Sequence, residues 1–275
     1  MTTQTANKRV AWPSALTIAG SDSGGGAGIQ ADLKTFSARG VFGTSAITAI
    51  TAQNTCGVAA VSTLTPEMVA AQIAAVLTDI PPKAVKIGML ATAPIVDAVA
   101  QALRGYTGPV VLDPVMVAKS GDALLNPEAE AALTLMLLPR AELLTPNLPE
   151  AARLLRQPVA QTEAEVVAQG RALCELGAQA VLMKGGHASG AVCTDRLVTA
   201  DAVVAFSRPR IETRNTHGTG CTLSSAIAAE RAKGVALTDA VAHAHDWLHG
   251  AITAADDLGI GSGHGPVHHF HEVWT

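Results

Sequence analysis

Short apolar runs alternate with longer helical patterns along almost the whole chain, and that alternation limits the fold more than any other feature. ALTIA (residues 15–19) is the first run, and Ile29, Leu33 and Phe36 behind it mark one face of a helix. A second β-like run covers 45–50, and Val69, Ile73, Val76, Leu77 and Ile80 form a helical stripe after Pro66. AVKIGML (84–90), a helix over 92–103, VVLD (110–113), a helix over 127–138 and ELLT (142–145) follow in turn. Helices over 148–156 and 163–176 then lead to AVLMK (180–184). Runs at 192–198 and 203–206 read as a hairpin, and two long helical stretches, 221–233 and 238–257, close the chain. Strands separated by helices of ~10–15 residues build βαβ units, so the expectation is an α/β fold with a mostly parallel sheet covered on both faces. No linker or repeat interrupts the pattern, which predicts one domain over 15–275 behind a disordered lead-in at 1–14. Apolar residues make up 48% of the chain and aromatics only 3%, so the core must be aliphatic and rich in alanine.

Charge and composition exclude several functions. A formal net charge of −4 with no basic stripe argues against nucleic acid as a partner. No apolar run reaches the ~18 residues of a membrane span, and the polar first residues lack a signal-peptide core. Four scattered cysteines (Cys56, Cys174, Cys193, Cys221) form no CxxC pair and suit a reducing, cytoplasmic setting.

In sheets of this kind ligands bind beyond the carboxyl ends of the strands. The polar residues there are Asp22, Gln53, Asn54, Asp113, Asn147 and Lys184, with Met89 beside them. Two glycine loops also lie at such ends. GSDSGGGAG (20–28) is not a dinucleotide fingerprint, because Ile29 stands where the last glycine is needed and no acidic residue ends a second strand. A GxxxxGK[ST] loop is also missing. NTHGTGC (215–221) is more informative, since Gly218 and Gly220 free the backbone for close approach. The amides of Thr219, Gly220 and Cys221, with the positive end of the following helix behind them, make an anion site. A tight helix start without a ligand would use the same glycines.

GSDSGGGAGIQADLKTF, AQNTCGV, KIGML, VLDPVMVAKSGD, LLTPNLPEA, VLMKGGH, NTHGTGCT and GPVHH occur in this order between residues 15 and 271. Together they resemble the bacterial hydroxymethylpyrimidine/phosphomethylpyrimidine kinases, thiamine-pathway members of the ribokinase-like superfamily. The resemblance implies a three-layer α/β/α domain, a homodimer, and ATP- and Mg²⁺-dependent phosphorylation of 4-amino-5-hydroxymethyl-2-methylpyrimidine and then of its monophosphate. It implies ATP phosphates against His217, Gly218, Thr219, Gly220 and Cys221, with Lys184 as their cation. Asn147 and Glu150 match an N-x-x-E signature that arranges Mg²⁺, although the same pair reads as a helix capping box. Asp113 would be satisfied by Mg²⁺ or by Lys184, or would cap the next turn. For the pyrimidine the resemblance selects Gly20, Asp32, Gln53 and Met89. Gln53 can both donate and accept, Met89 can cover a ring, and Asp32 reads equally as a first-turn carboxylate of its own helix. Gly24 stands where the family has serine, and Thr51 is a further candidate for the pocket wall.

Sugar kinases of the superfamily carry aspartate at the position of Cys221, as base for the acceptor hydroxyl. A cysteine can replace it if its pKa falls below the usual ~8.5, which a helix N-terminus and nearby cations favour. Pyridoxal kinase is the alternative activity, with the same phosphate machinery. Residues 118–125 (AKSGDALL) read as a mobile flap. His264, His268, His269 and His271 resemble a metal set, but no regular element is evident to hold them, and they are not taken as one.

Overall fold

The computed structural model describes residues 12–116, 125–187 and 190–274. The N-terminal end of the expected lead-in (1–11) and the expected flap, but for Leu125, lie outside the described residues. Nine strands form one sheet: β1 (Ser14–Asp22), β2 (Phe42–Asn54), β3 (Gly57–Thr63), β4 (Ala84–Ile87), β5 (Val110–Leu112), β6 (Leu143–Leu144), β7 (Val181–Met183), β8 (Val192–Val198) and β9 (Val203–Pro209). Their order is β3-β2-β1-β4-β5-β6-β7-β8-β9. The run from β2 to β7 is parallel, whereas β3 pairs antiparallel to β2, β8 to β7, and β9 to β8.

Helices cover both faces. They are α1 (Gly28–Ala38), α2 (Pro66–Asp79), α3 (Ala93–Ala102), α4 (Pro127–Met136), α5 (Leu148–Leu155), α6 (Glu163–Glu175), α7 (Thr219–Ala232) and α8 (Leu237–Thr253). Alternate strand residues feed two cores. Leu16, Val85, Leu112 and Leu144 pack under α2 to α6, while Ala15, Ala84, Val111 and Ala180 pack under α1, α7 and α8. The second face is lined by short side chains, and α7 (TGCTLSSAIAAERA) answers with its own alanines and serines, so helix and sheet meet closely. Proline occupies the first turn of α2, α3, α4 and α5, where a missing N–H is harmless.

Among the strands and α-helices, the sequence reading anticipates all but β3. That strand is exposed along most of its length and pairs only with β2, so its small residues GVAAVST show no inward-outward alternation. Asn54 belongs to the β2–β3 turn, where its side-chain oxygen accepts the amides of Cys56 and Gly57.

From β1 the chain moves outward to β2, then crosses to β4 on the other side of β1. The carboxyl ends of β1 and β4 therefore flank a switch point, where an open sheet leaves a crevice.

Candidate active site

A cavity of about 960 Å³ opens along the carboxyl edge of the sheet. Its wall includes Asp22 at the end of β1, Gln53 from β2, Met89 after β4, Asp113 after β5, Asn147 after β6 and Lys184 after β7. The first turn of α7 closes one side.

The charged centre is built from three strand ends. Asp113 is almost fully buried; its Oδ1 accepts from Lys184 Nζ at 2.9 Å and Thr145 Oγ1 at 3.0 Å. Burial alone would raise this carboxyl, but Lys184 and Lys86 outweigh it and hold the group below its ordinary value. Lys184 also lies 3.9 Å from Glu150 Oε2. Burial acts to lower the lysine, yet the two carboxylates raise it and keep it charged. Glu150 is pushed up to about 7, chiefly by burial, with Asp113 adding to the rise and Lys184 opposing it.

Asn147 and Glu150 form the capping box of α5. Asn147 Oδ1 accepts the Glu150 amide and Glu150 Oε2 accepts the Asn147 amide, both at 2.8 Å. Both residues line the cavity as well, so the structural role does not remove them from the site. Among the described residues no three His, Cys, Asp or Glu side chains gather into a metal cage. Mg²⁺ binds oxygen and keeps several waters, so Asp113 and Glu150, one on each side of a lysine, fit it as a two-carboxylate, water-rich site.

α7 begins without a side-chain cap, its N-cap Gly218 being left-handed at φ 78°. Among the described residues no acceptor meets the amides of Gly220 and Cys221. A Cβ at Gly220 would lie 3.3 Å from Lys184 Nζ and 3.6 Å from Asp113 Oδ2, in the space between helix start and cation. That bare corner with unpaired amides fits a phosphate. Gly218 has a different reason to be glycine: a Cβ there would meet the Gly26 carbonyl oxygen at 1.9 Å.

His217 departs from the phosphate contact expected of it. Its Nε2 lies 2.9 Å from Asp22 Oδ2 and 3.4 Å from Gln53 Nε2, so it faces the first glycine loop. Asp22 also accepts the amides of Gly24, Gly26 and Ala27. Although burial raises the Asp22 carboxyl, His217 and these amides hold it below its usual value. The two glycine loops are thus latched together through Asp22 and His217.

Gly20, Gln53 and Met89 come together where a pyrimidine pocket was expected, with Thr51 beside them. A Cβ on Gly20 would stand 2.6 Å from Met89 Cε, so the glycine leaves room for that methyl. Asp32 is the exception. It is wholly buried behind the wall, bonded to Lys86, Thr17 and Ser225, and does not reach the cavity. Lys86 lines the cavity and was missed, although a lysine inside the apolar run AVKIG was a visible signal. Cys193, Asp195, Arg208, His245 and His249 line the far end, and nothing in their sequence surroundings marks them.

The state of Cys221 also differs from expectation. Burial pushes its thiol up to about 11; Lys86 opposes that, while Asp32 and Asp113 add to it. Burial thus favours the neutral thiol at neutral pH. Alkylation of Cys221, followed peptide by peptide in a mass spectrometer, is therefore expected to rise with pH past the ~8.5 of a free cysteine. A midpoint at or below that value would contradict the burial argument. The tail histidines are held by hydrogen bonds: His269 Nε2 lies 3.0 Å from Thr222 Oγ1, and burial lowers this imidazole to about 3, so it stays neutral.

Residues 22–268 match the model of the phosphomethylpyrimidine kinase family. The chain belongs to this family. A hydroxymethylpyrimidine/phosphomethylpyrimidine kinase of Rhizobium meliloti is 58% identical over 260 residues, covering 94% of this chain and 98% of the relative. Among solved structures, an ADP complex of Bacillus subtilis pyridoxal kinase superposes with a TM-score of 0.89 at 36% identity, covering 96% of this chain and all of that one. The phosphomethylpyrimidine kinase of Clostridium difficile gives 0.78 at 45% identity, covering 87% and 99%. The α/β/α architecture of this phosphomethylpyrimidine kinase family member is that of the ribokinase-like kinases.

Proposed function

We propose that the chain transfers the terminal phosphoryl of ATP to the hydroxyl of 4-amino-5-hydroxymethyl-2-methylpyrimidine and then to the resulting monophosphate, in thiamine diphosphate biosynthesis. The observation that carries this reading is the pair of amides at Gly220 and Cys221 that no acceptor meets among the described residues, beside Lys184 at a corner that glycine leaves open. Loose phosphoryl transfer needs positioning and electrostatics more than covalent help, and this corner offers both. Asp113 and Glu150 would hold Mg²⁺, which when bound neutralises phosphate charge. Asn147 orients Glu150 through the capping box. Lys184 and the α7 amides receive the developing charge. Gln53 and Met89 hold the pyrimidine in the pocket beside Gly20, and Asp22 with His217 keeps that pocket and the phosphate corner in register. The cytoplasmic, homodimeric and Mg²⁺-dependent parts of the reading rest on family resemblance and on the donor set; no helix among the described residues is long and apolar enough to cross a membrane.

Cys221, once its thiol has ionised, takes the acceptor hydroxyl's proton in the first step. A phosphate monoester already carries an anionic oxygen at neutral pH, so the second step needs no such help. Cys221→Ala is expected to slow the first phosphorylation by about 10²-fold, the scale of a general base, and the second far less. Mass analysis of products from each acceptor separately, with pyridoxal as a third, measures this. Equal losses in both steps remove the base role; faster turnover of pyridoxal than of the pyrimidine replaces the substrate.

A further inference from the structure

One buried charge is left unused by the phosphate chemistry. Lys86, the third residue of β4, is wholly buried and lines the same cavity as Cys221. Its ammonium donates to both oxygens of Asp32, at 2.9 Å each. Asp32 accepts in addition from Thr17 Oγ1 and Ser225 Oγ, both at 2.6 Å. The carboxylate is therefore saturated by groups from β1, β4 and α7. The ammonium is not: lysine has three N–H donors, and among the described residues no acceptor meets the third.

The same network sets α7 against α1. Ser225 lies one turn beyond Cys221 and bonds Asp32. Gly28 lies one turn before Asp32, and its backbone acts to lower the Cys221 thiol. Sulfur and ion pair thus share one seam between the two helices. The charged groups that act on Cys221 are Lys86 from β4, Lys184 from the end of β7, Asp32 from α1 and Asp113 from the end of β5. Of the two cations Lys86 acts on the sulfur more strongly, Lys184 being held by Asp113; the two carboxylates oppose a thiolate.

We propose that Lys86, fixed by Asp32, is a positioning residue for Cys221: its remaining N–H and its charge receive the sulfur once the thiol proton has left for solvent. This rests on the base role of Cys221. In the hydroxyl step the acceptor's O–H bond breaks and its proton passes to the thiolate. The oxygen bonds the terminal phosphorus, and ADP departs with the electron pair of the broken P–O bond. The sulfur, again a thiol, returns its proton to solvent before the next cycle. Lys86 therefore acts on the first phosphorylation and not on the second.

The test compares Asp32→Asn with the double variant Lys86→Met/Asp32→Asn, both of which avoid a buried unpaired carboxylate. The double variant is expected to slow the first step at least about tenfold more than the second, and to move the alkylation midpoint of Cys221 above that of Asp32→Asn by about one pH unit. Adding Cys221→Ala to it should cost no further first-step rate. Should the double variant fail to fold, Lys86→Gln/Asp32→Asn, which removes the same charge and leaves no unpaired carboxylate, carries the same expectations in both assays. Equal loss in the two steps with an unmoved alkylation profile overturns the inference. The base reading fails separately, through an unselective Cys221→Ala; a selective Cys221→Ala beside an unselective Lys86 variant sinks only the positioning role.

Discussion

Lys184→Met is expected to lower kcat/KM by about 10³-fold with either acceptor, at the upper end of what one preorganised charge-stabilising donor contributes. The lysine stands between Asp113 and Glu150, is held charged by them, and faces the bare corner at Gly220. It serves the phosphoryl group common to both steps, so the loss does not depend on which acceptor is offered. That separates it from Cys221, whose loss falls on one step. The substitution also leaves two buried carboxylates without their shared cation, which costs about 3–5 kcal/mol when a buried pair is broken. Glu150 softens this by taking up a proton, since it already titrates at about 7. Steady-state ADP release with each acceptor, alongside a thermal melt, measures both effects. A folded variant within tenfold of the parent on either acceptor would show that Lys184 takes no part in transfer.

The second large effect is a contrast between two neighbouring glycines. Gly220 sits in the first turn of α7 without a left-handed φ, so alanine fits its backbone. The added methyl instead enters the space beside Lys184 and Asp113. Gly220→Ala is expected to melt like the parent and to lose about 10²-fold or more in kcat/KM for ATP, the penalty for a displacement of about 1 Å in a positioned reaction. Gly218→Ala behaves differently. It combines a left-handed φ of 78° with a Cβ 1.9 Å from the Gly26 oxygen, so it must push the two loops apart. A destabilisation of about 2–4 kcal/mol follows from strain and lost packing together. Thermal melts and ATP titrations of the two variants check the contrast. Unchanged ATP kinetics in Gly220→Ala would mean that the corner does not receive a phosphate.

Much of this site was legible because strand ends are local features. Asp22, Gln53, Met89, Asp113, Asn147 and Lys184 each follow or end an apolar run, and the parallel order of β1, β2 and β4 to β7 brings their carboxyl ends to one edge. Asp32 misled because its surroundings are non-local: Lys86 and Ser225 lie 54 and 193 residues away, and only the packing of α1 on β4 and α7 brings them to it. His217 sits inside a phosphate-like motif, yet its partner Asp22 is 195 residues distant. The thiol of Cys221 was judged from its helix end, an effect that burial outweighs. The far wall from β8, β9 and α8 left no trace, since its polar residues lie in a hairpin and a helix with no local signature.

The alanines at 15, 84 and 180 carry a lasting consequence for how such a chain can change. Bulk added at any of them, at the amino ends of their strands, would push the covering helices off the sheet and disturb the seat of α7, whose first turn carries the Gly220 and Cys221 amides. A lineage adapting to heat is barred from thickening this layer and must find its extra stability in loops, surface charges or the opposite side of the molecule.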